Sequence, residues 1–269
     1  MLVRLGERCA ALLLLVAALL CAPARSDLFT AQIAYRMADY ERAFKDYREL
    51  AELGQPVAQY NLAIMYAKGQ GVRQSELNAY ARSEAVPWFL KAAQRGSPSA
   101  QYMVGSSLLF GMGCQCEESK GEVWLRKAAE ADQSNAQVSL AAYALRGSPN
   151  AANSKLAGVW LERAAATGDH DGMYYLSALL AATAVEELRD PKRALSLLDK
   201  VRADVSGNPT AFEIRAAAQA ASGAFAEAVG SERRAIAMAT KLKWDLAPLN
   251  ERLAHYESRQ PWYGDLLGL

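Results

Sequence analysis

Apolar and small residues recur in this chain at the spacing of one face of an α-helix. The first run occupies positions 58, 62, 63 and 66, and the second occupies positions 85, 88, 89, 92 and 93. Because residues three and four apart share a helix face, each run predicts an amphipathic helix. Gly69 and Gly71 follow the first run and are expected to end its helix. Pro87 is expected in the first turn of the second helix, where its missing N–H costs little.

These two patterns recur together along the chain. The first motif begins at positions 58, 100, 136 and 172, and the second is marked by Trp88, Trp124 and Trp160. The first interval of the first motif is six residues longer than the next two, because residues 73–84 hold an insertion. A helix pair of this kind cannot bury its apolar face alone, so we expect the pairs to stack on one another, with the tryptophans packed between helices. Small residues at positions 43, 63, 85, 105, 121 and 141 predict close approach of the helix backbones.

The composition favours an all-α chain. Of the 269 residues, 53 are alanine and only 4 are isoleucine. Alanine loses no side-chain entropy in a helix, whereas β-branched residues favour strands. No run of alternating β-branched residues stands out. The 52% of hydrophobic residues is ample for a packed core.

The repeated residues resemble Sel-one-like repeats, which are close relatives of the tetratricopeptide repeat. The first part of that pattern is carried by Ala58, Tyr60, Leu62, Ala63, Tyr66, Gly69, Gly71 and Val72. Residues 85–96 carry the second part, later copies lose one or both glycines, and residues 209–239 are closer to a tetratricopeptide repeat. The resemblance covers about residues 28–258. It implies an all-α fold, an α-solenoid of antiparallel helix pairs, and a role as a protein–protein adaptor.

The N-terminus has the order of a secretory signal peptide. Arg4 and Arg8 precede an apolar run over residues 9–20, and small residues follow. We expect a signal peptide over 1–26, cleaved after Ala24 or Ser26, a repeat array over 27–240 and a C-terminal helical cap and tail over 241–269. The apolar run is shorter than the roughly 20 residues of a spanning helix. An uncleaved anchor and lipidation of Cys21 are the alternatives.

The chain without residues 1–24 has 28 basic and 28 acidic residues and therefore no net charge. A neutral surface with mixed signs has no electrostatic footprint for nucleic acid or an anionic membrane. We therefore expect no nucleic-acid partner. The resemblance implies a protein partner, and the N-terminal signal implies a periplasmic location with no integral membrane segment in the mature chain.

The resemblance also implies where a partner binds, because the first helices of such repeats line an inner groove. The corresponding positions are Tyr60, Asn61, Ile64, Lys68, Tyr102, Met103, Ser106, Phe110, Ser139, Arg146, Tyr174 and Tyr175. Aromatic and methionine side chains suit a peptide-binding groove because they bury much area. Packing against the adjacent helix is an equal alternative for several of them. The groove lacks the paired Lys and Asn set that clamps a terminal carboxylate.

The remaining candidate sites have mainly structural interpretations. Cys114 and Cys116 are the only cysteines after the leader, and they form a candidate disulfide; free thiols, a bridge to a partner and a redox switch are the alternatives. Asp169, His170 and Asp171 follow a turn glycine and are expected to be a solvated turn rather than a proton relay. No motif offers a nucleophile with a base in reach. The sequence therefore predicts a non-enzymatic protein with no metal and no cofactor.

The leading function predicted from the sequence is an adaptor or scaffold of the bacterial cell envelope that binds a partner in its concave groove. A periplasmic inhibitor of a signalling sensor and a self-assembling structural subunit are the alternatives.

Overall fold

The computed structural model describes residues 27–72, 80–112, 114–146, 150–201 and 207–267, and these residues form thirteen α-helices and one short 3-10 turn, with no strand among them. The predicted signal peptide lies outside the described residues. The helices are α1 (Leu28–Arg36), α2 (Tyr40–Glu52), α3 (Pro56–Lys68), α4 (Tyr80–Gln94), α5 (Pro98–Phe110), α6 (Glu118–Glu130), α7 (Ser134–Leu145), α8 (Ala151–Ala166), α9 (His170–Ala182), α10 (Pro191–Lys200), α11 (Pro209–Ala221), α12 (Phe225–Lys241) and α13 (Ala247–Glu257). The 3-10 turn spans Glu186–Leu188, between α9 and α10.

The chain divides into two compact units, the first ending at Arg95 and the second beginning at Gly96. In the first unit α1 packs on α2 and α3 on α4. In the second unit the hairpins α5/α6, α7/α8, α9/α10 and α11/α12 follow one another, and α13 packs on α12. This arrangement confirms the predicted fold class, an all-α solenoid built from helix pairs.

Local residue chemistry explains most helix ends. Ser97 and Asn150 cap α5 and α8 by accepting backbone N–H bonds through their side chains. Gly69 and Gly111 end α3 and α5 in the left-handed conformation, with φ of 65° and 66°. These two glycines confirm the predicted stops. The prediction for Pro87 was wrong, because α4 begins at Tyr80 and places the proline inside the helix, on its exposed side.

Small residues set the distance between the helices of a hairpin. Gly105 of α5 and Gly121 of α6 face each other so closely that a Cβ atom at Gly121 would lie 2.9 Å from the Gly105 carbonyl oxygen. In the preceding hairpin the same two positions are Ala63 and Ala85, which are both buried. The predicted backbone approach is therefore present. It lets short alanine-rich helices bury their shared faces at close contact.

A buried glutamine joins each of two hairpins to the helix before it. Gln59 donates from Nε2 to the Ala51 carbonyl at 3.1 Å, and Gln137 donates to the Ala129 carbonyl at 3.0 Å. Gln59 is 3% exposed and Gln137 is completely buried. The Oε1 of each glutamine is buried without a hydrogen-bond partner among the described residues. Because an unpaired buried amide donor is costly, the two Nε2 bonds favour this register between successive repeats.

The recurring tryptophans stack beneath basic residues of their own helices. Lys91 Nζ lies 3.7 Å from the ring centroid of Trp88, and Lys127 Nζ lies 4.5 Å from that of Trp124. Trp160 is buried in the second unit. The expected packing role is therefore clearest for Trp160. The rings of Trp88 and Trp124 also contact the lysines of their own helices.

The chain after α13 leaves the helical pattern and returns to α9. Residues 258–267, which we call the tail, contain no helix. The Gly264 N–H donates to the Ala182 carbonyl at 2.8 Å, and Leu266 is buried. Within the predicted C-terminal cap over 241–269, the described residues after α12 thus form one helix, α13, followed by the tail.

Candidate functional site

The first unit carries four of the predicted groove residues on α3: Tyr60, Asn61, Ile64 and Lys68. Tyr60 is half-buried, and its ring lies 5.7 Å from that of Phe89 on α4. Lys68 is exposed, and its Nζ lies 3.5 Å from the Tyr35 hydroxyl. Tyr60 therefore contributes to the packing of α3 on α4, which is the alternative interpretation of this position.

In the second unit, four predicted residues surround one hollow: Phe110, Ser139, Arg146 and Tyr175. The lining is completed by Leu109, Val138, Ala142 and Tyr143. These residues lie on the first helices of three successive hairpins or, for Arg146, directly after one of them, so we call the site the α5–α7–α9 hollow. Its volume is about 390 Å³ and its walls are mostly apolar. Ligand sites are commonly apolar hollows with a few polar groups, and this one has that character.

Phe110 is an exposed apolar wall of the hollow. It is the last residue of α5 and is 59% exposed, whereas Leu109 beside it is buried. The left-handed Gly111 turns the chain away directly after it. An aromatic ring held at a helix end beside a hollow presents a large apolar area at little entropic cost, which is typical of a contact residue.

Arg146 supplies the positive charge of the hollow. Its Nη1 lies 3.6 Å from Glu118 Oε1, and the Tyr143 hydroxyl donates to the same carboxylate at 3.5 Å. Burial, followed by the neighbouring Glu118 charge, raises the pKa of Tyr143. Arg146 and Glu118 are both exposed, so their pair contributes little and can be exchanged for another carboxylate.

Tyr175 closes the far side of the hollow. Its ring meets that of Tyr174 edge-on at 5.8 Å, and burial, followed by the Asp171 charge, raises its pKa. The Tyr174 hydroxyl accepts a hydrogen bond from Asn208 Nδ2 at 3.1 Å, and burial raises the pKa of Tyr174 to about 12. Tyr174 is thus anchored toward α11, and it holds Tyr175 at the hollow.

Comparison with known families decides what these hairpins are. The Sel1 repeat family matches residues 56–97, 98–133 and 134–169. Residues 56–169 thus contain three Sel1 repeats. Sel1 repeats generally mediate protein–protein interaction. The α5–α7–α9 hollow is formed by the second and third matched repeats together with Tyr175, which follows them.

Two solved structures share the fold. A protective antigen of uropathogenic Escherichia coli with an SLR fold is 26% identical, with a TM-score of 0.59 over 74% of this chain and 41% of that one. A Sel1 repeat protein from Oxalobacter formigenes is 26% identical, with a TM-score of 0.56 over 68% of this chain and 74% of that one. This chain therefore spans about two fifths of the length of the Escherichia coli protein.

The predicted groove residues in the middle of α5 do not line the hollow. Tyr102 and Met103 are half-buried on α5. Ser106 is 5% exposed, and its Oγ has no hydrogen-bond partner among the described residues. Ser106 was predicted to lie in the groove, but its side chain faces the interior and cannot contact a partner in this conformation.

Cys114 and Cys116 are free thiols in the structure, and a disulfide between them stays a prediction. The Cys116 Sγ lies 3.3 Å from the Leu109 carbonyl oxygen and hydrogen-bonds to it, which directs this thiol to α5. Burial, followed by the Glu117 charge, raises the pKa of Cys114. The pair follows α5 directly and lies close in sequence to Phe110.

Asp169 has a structural role, because its side chain accepts the Gly172 N–H at 2.7 Å and caps α9. His170 beside it is exposed, as expected for a solvated turn. Across the described ranges, no group of three or more His, Cys, Asp or Glu side chains is placed to hold a metal ion. In the same ranges, no helix has the length and apolar character needed to cross a membrane.

The structure also contains a buried charged group that the sequence did not suggest. Glu213 of α11, Glu232 of α12 and Arg252 of α13 meet in the interior, and we call them the C-terminal ion cluster. Arg252 Nε donates to Glu232 Oε1 at 3.3 Å, and its Nη2 pairs with Glu213. Burial raises the pKa of Glu232 to about 7 against the opposing effect of Arg252. Burial also raises the pKa of Glu213.

Proposed function

We propose that this protein is a non-enzymatic adaptor that binds a protein partner at the α5–α7–α9 hollow. The observation that carries the proposal is the meeting of Phe110, Tyr175 and Arg146 around one apolar space. The match to Sel1 repeats supports it, because that fold is used for protein interaction. The hollow offers contact area and one charge, which suits recognition.

The chemistry of the hollow indicates the partner segment. A space of about 390 Å³ accommodates one large apolar side chain of a partner together with part of its backbone. Arg146 lies at the rim, where a partner carboxylate replaces Glu118 as its ion pair. The partner is therefore a segment that has an aromatic or leucine residue close to an acidic one.

The proposed location is the bacterial cell envelope, after export. Support comes from the N-terminal sequence, in which Arg4 and Arg8 precede an apolar run and small residues. An adaptor located there acts on another exported protein or on the periplasmic part of a membrane protein. Inhibition of a signalling sensor is one such role, and it uses the same hollow.

A deletion of the Phe110 side chain tests the adaptor proposal. Photo-crosslinking from position 110 in a chain that starts at Asp27 identifies the partner in an envelope extract, and titration of the purified partner gives its affinity. We expect Phe110→Ala to weaken binding by at least about 30-fold, as for a central aromatic contact. Val123→Ala, at an exposed apolar residue of α6 outside the hollow, is the matched control. Equal affinities of Phe110→Ala and wild type, with unchanged helicity, would refute the proposed site.

A self-assembling subunit is the second candidate, and one observation in the first unit favours it. Phe29 and Ile33 of α1, and Met37 directly after it, lie four residues apart and are 69%, 39% and 77% exposed. The end of a repeat array is usually covered by a polar face, so an apolar stripe here suits contact with another copy. Light scattering on the wild type and on Met37→Ser tests this, because only self-association gives a mass that falls with the substitution.

A further inference from the structure

The C-terminal ion cluster is unbalanced in charge. It places two carboxylates, on Glu213 and Glu232, against the single guanidinium of Arg252, and all three residues are at most 5% exposed. Glu232 Oε2 and the Tyr256 hydroxyl are also buried without a hydrogen-bond partner among the described residues. When both carboxylates are ionised, the interior therefore holds an uncompensated negative charge. Burying such a charge is costly, whereas a neutral carboxylic acid is tolerated.

The groups that face Glu232 come from the two helices packed against α12. Glu213 faces it from α11, and Arg252 and Tyr256 face it from α13. A second pair between α12 and α13, Arg233 with Glu257 at 2.8 Å, is exposed and screened by water. The charge state of the buried cluster therefore bears directly on the docking of α13.

Arg252 also connects the cluster to the tail. Its guanidinium lies 5.2 Å from the ring centroid of Trp262, on the chain that leaves α13. The next residue, Tyr263, stacks on Arg189 at 3.7 Å, and the Gly264 N–H is bonded to the Ala182 carbonyl. The tail is thus held at one end by the cluster and at the other by the end of α9.

The tail covers an apolar surface of the array. Residues Gly264–Leu267 face Leu145, Ala178 and Leu179 across a small cavity of about 60 Å³. Leu266 is 8% exposed in this position. Departure of the tail therefore exposes apolar side chains at the end of α7, one residue before Arg146 of the hollow.

We propose that residues 258–267 form a latch over the α7–α9 surface, and that ionisation of the C-terminal ion cluster opens it. The latch is closed when one carboxylate of the cluster carries a proton, because the buried charges then balance. When α13 and the tail leave, the carboxylates enter water and ionise at no desolvation cost. A rise in pH therefore shifts the equilibrium toward the open latch.

The sign and size of this dependence follow from Glu232. Burial raises its pKa from 4.5 to about 7 in the closed state, and in the open state the carboxyl returns to its ordinary value. Stabilisation of the closed state is then complete below about pH 4.5 and is lost as the pH rises to about 7. Between pH 5 and pH 8 this single group changes the closing constant by roughly 70-fold.

Hydrogen exchange on the full chain tests the latch. Amide protection of the peptide containing residues 258–267 is measured at pH 5 and pH 8, with intrinsic exchange rates corrected. We expect the opening constant to rise by roughly 70-fold in wild type and to be low and nearly pH-independent in Glu232→Gln. Glu227→Gln, at an exposed glutamate in the first turn of the same helix, is the control and should behave as wild type.

Two results would overturn the latch: a change of less than threefold in wild type, or the same pH dependence in Glu232→Gln. Trp262→Ala separates the latch from simple fraying of α13. We expect the tail of that variant to be open at both pH values while α13 keeps its pH-dependent protection. If the Trp262→Ala tail stays protected and pH-dependent, then Arg252 does not couple the cluster to it. The Trp262→Ala measurement therefore tests the latch even if the Glu232→Gln variant does not fold.

Discussion

The contact between Gly105 and Gly121 makes a sharp prediction for Gly121→Ala. The added methyl carbon would lie 2.9 Å from the Gly105 oxygen, 2.9 Å from the Leu109 nitrogen and 3.2 Å from the Leu109 Cα. All three are backbone atoms that cannot rotate away, so α5 and α6 must separate. Overpacking of this kind costs about 3 kcal/mol, at the upper end of its usual range. Alanine recovers at most about 1 kcal/mol through its helix propensity. We expect a net loss of about 2 kcal/mol.

Gly158→Ala is the matched control for this prediction. Gly158 is also a buried helical glycine, but its added methyl would meet Leu179 Cδ2 at 3.7 Å and Leu188 Cδ2 at 4.0 Å, which are ordinary contacts. We expect this variant to gain up to about 1 kcal/mol. Urea unfolding followed by circular dichroism gives both values, provided that the slopes match the wild type. Equal effects of the two substitutions would refute the claim that close backbone contact, and not chance, fixes glycine at position 121.

Three further outcomes follow from the described contacts. Gln137→Ala should lower the free energy of unfolding by about 2 kcal/mol in urea titration, because it removes a buried donor to the Ala129 carbonyl and leaves a void. A double-mutant cycle on Arg193 and Glu162, an exposed pair joined through two hydrogen bonds, should give a coupling of about 1 kcal/mol or less that falls with added salt. Glu232→Gln should make the protein more stable than wild type at pH 8 and nearly equal to it at pH 4.5, because the raised pKa of this carboxyl costs stability only above its ordinary value. A larger gain at pH 4.5 than at pH 8 would contradict that sign.

The repeated hairpins were predictable because their signals are local. The spacing of Trp88, Trp124 and Trp160 gave the register, and the glycines after positions 68 and 110 marked helix ends within one or two residues. Close approach at positions 105 and 121 also followed from side-chain size alone. These features depend on residues three, four or 36 positions apart, which a single sequence displays.

The hollow was only partly predictable. Register along the first helices selected four residues that line the hollow, Phe110, Ser139, Arg146 and Tyr175, but it also selected Ser106, which is buried. One helix turn separates Ser106 from Phe110, and the difference between them is that Phe110 lies at the helix end. Exposure at such positions depends on how the next hairpin packs, and helix periodicity does not contain that information.

The C-terminal ion cluster had no sequence signal at all. Glu213, Glu232 and Arg252 are separated by about twenty residues each and lie on three different helices. Charged residues are usually expected on the surface, so nothing in their local pattern marks them as buried. The tail was likewise expected to belong to a helical cap, because its return to α9 depends on contacts with residues some eighty positions earlier.

The glutamine bond between hairpins has a consequence for how this gene can change length. Position 173, which is 36 residues after Gln137, is methionine, and a thioether cannot donate to a carbonyl. Tandem copying of the segment 134–169 would bring a new glutamine to the carbonyl of Ala165 and keep the old bond intact. Loss of the same segment would set Met173 opposite Ala129 and remove its donor. Loss of this segment therefore costs a buried hydrogen bond that its duplication keeps, so the array can more easily grow here than shrink.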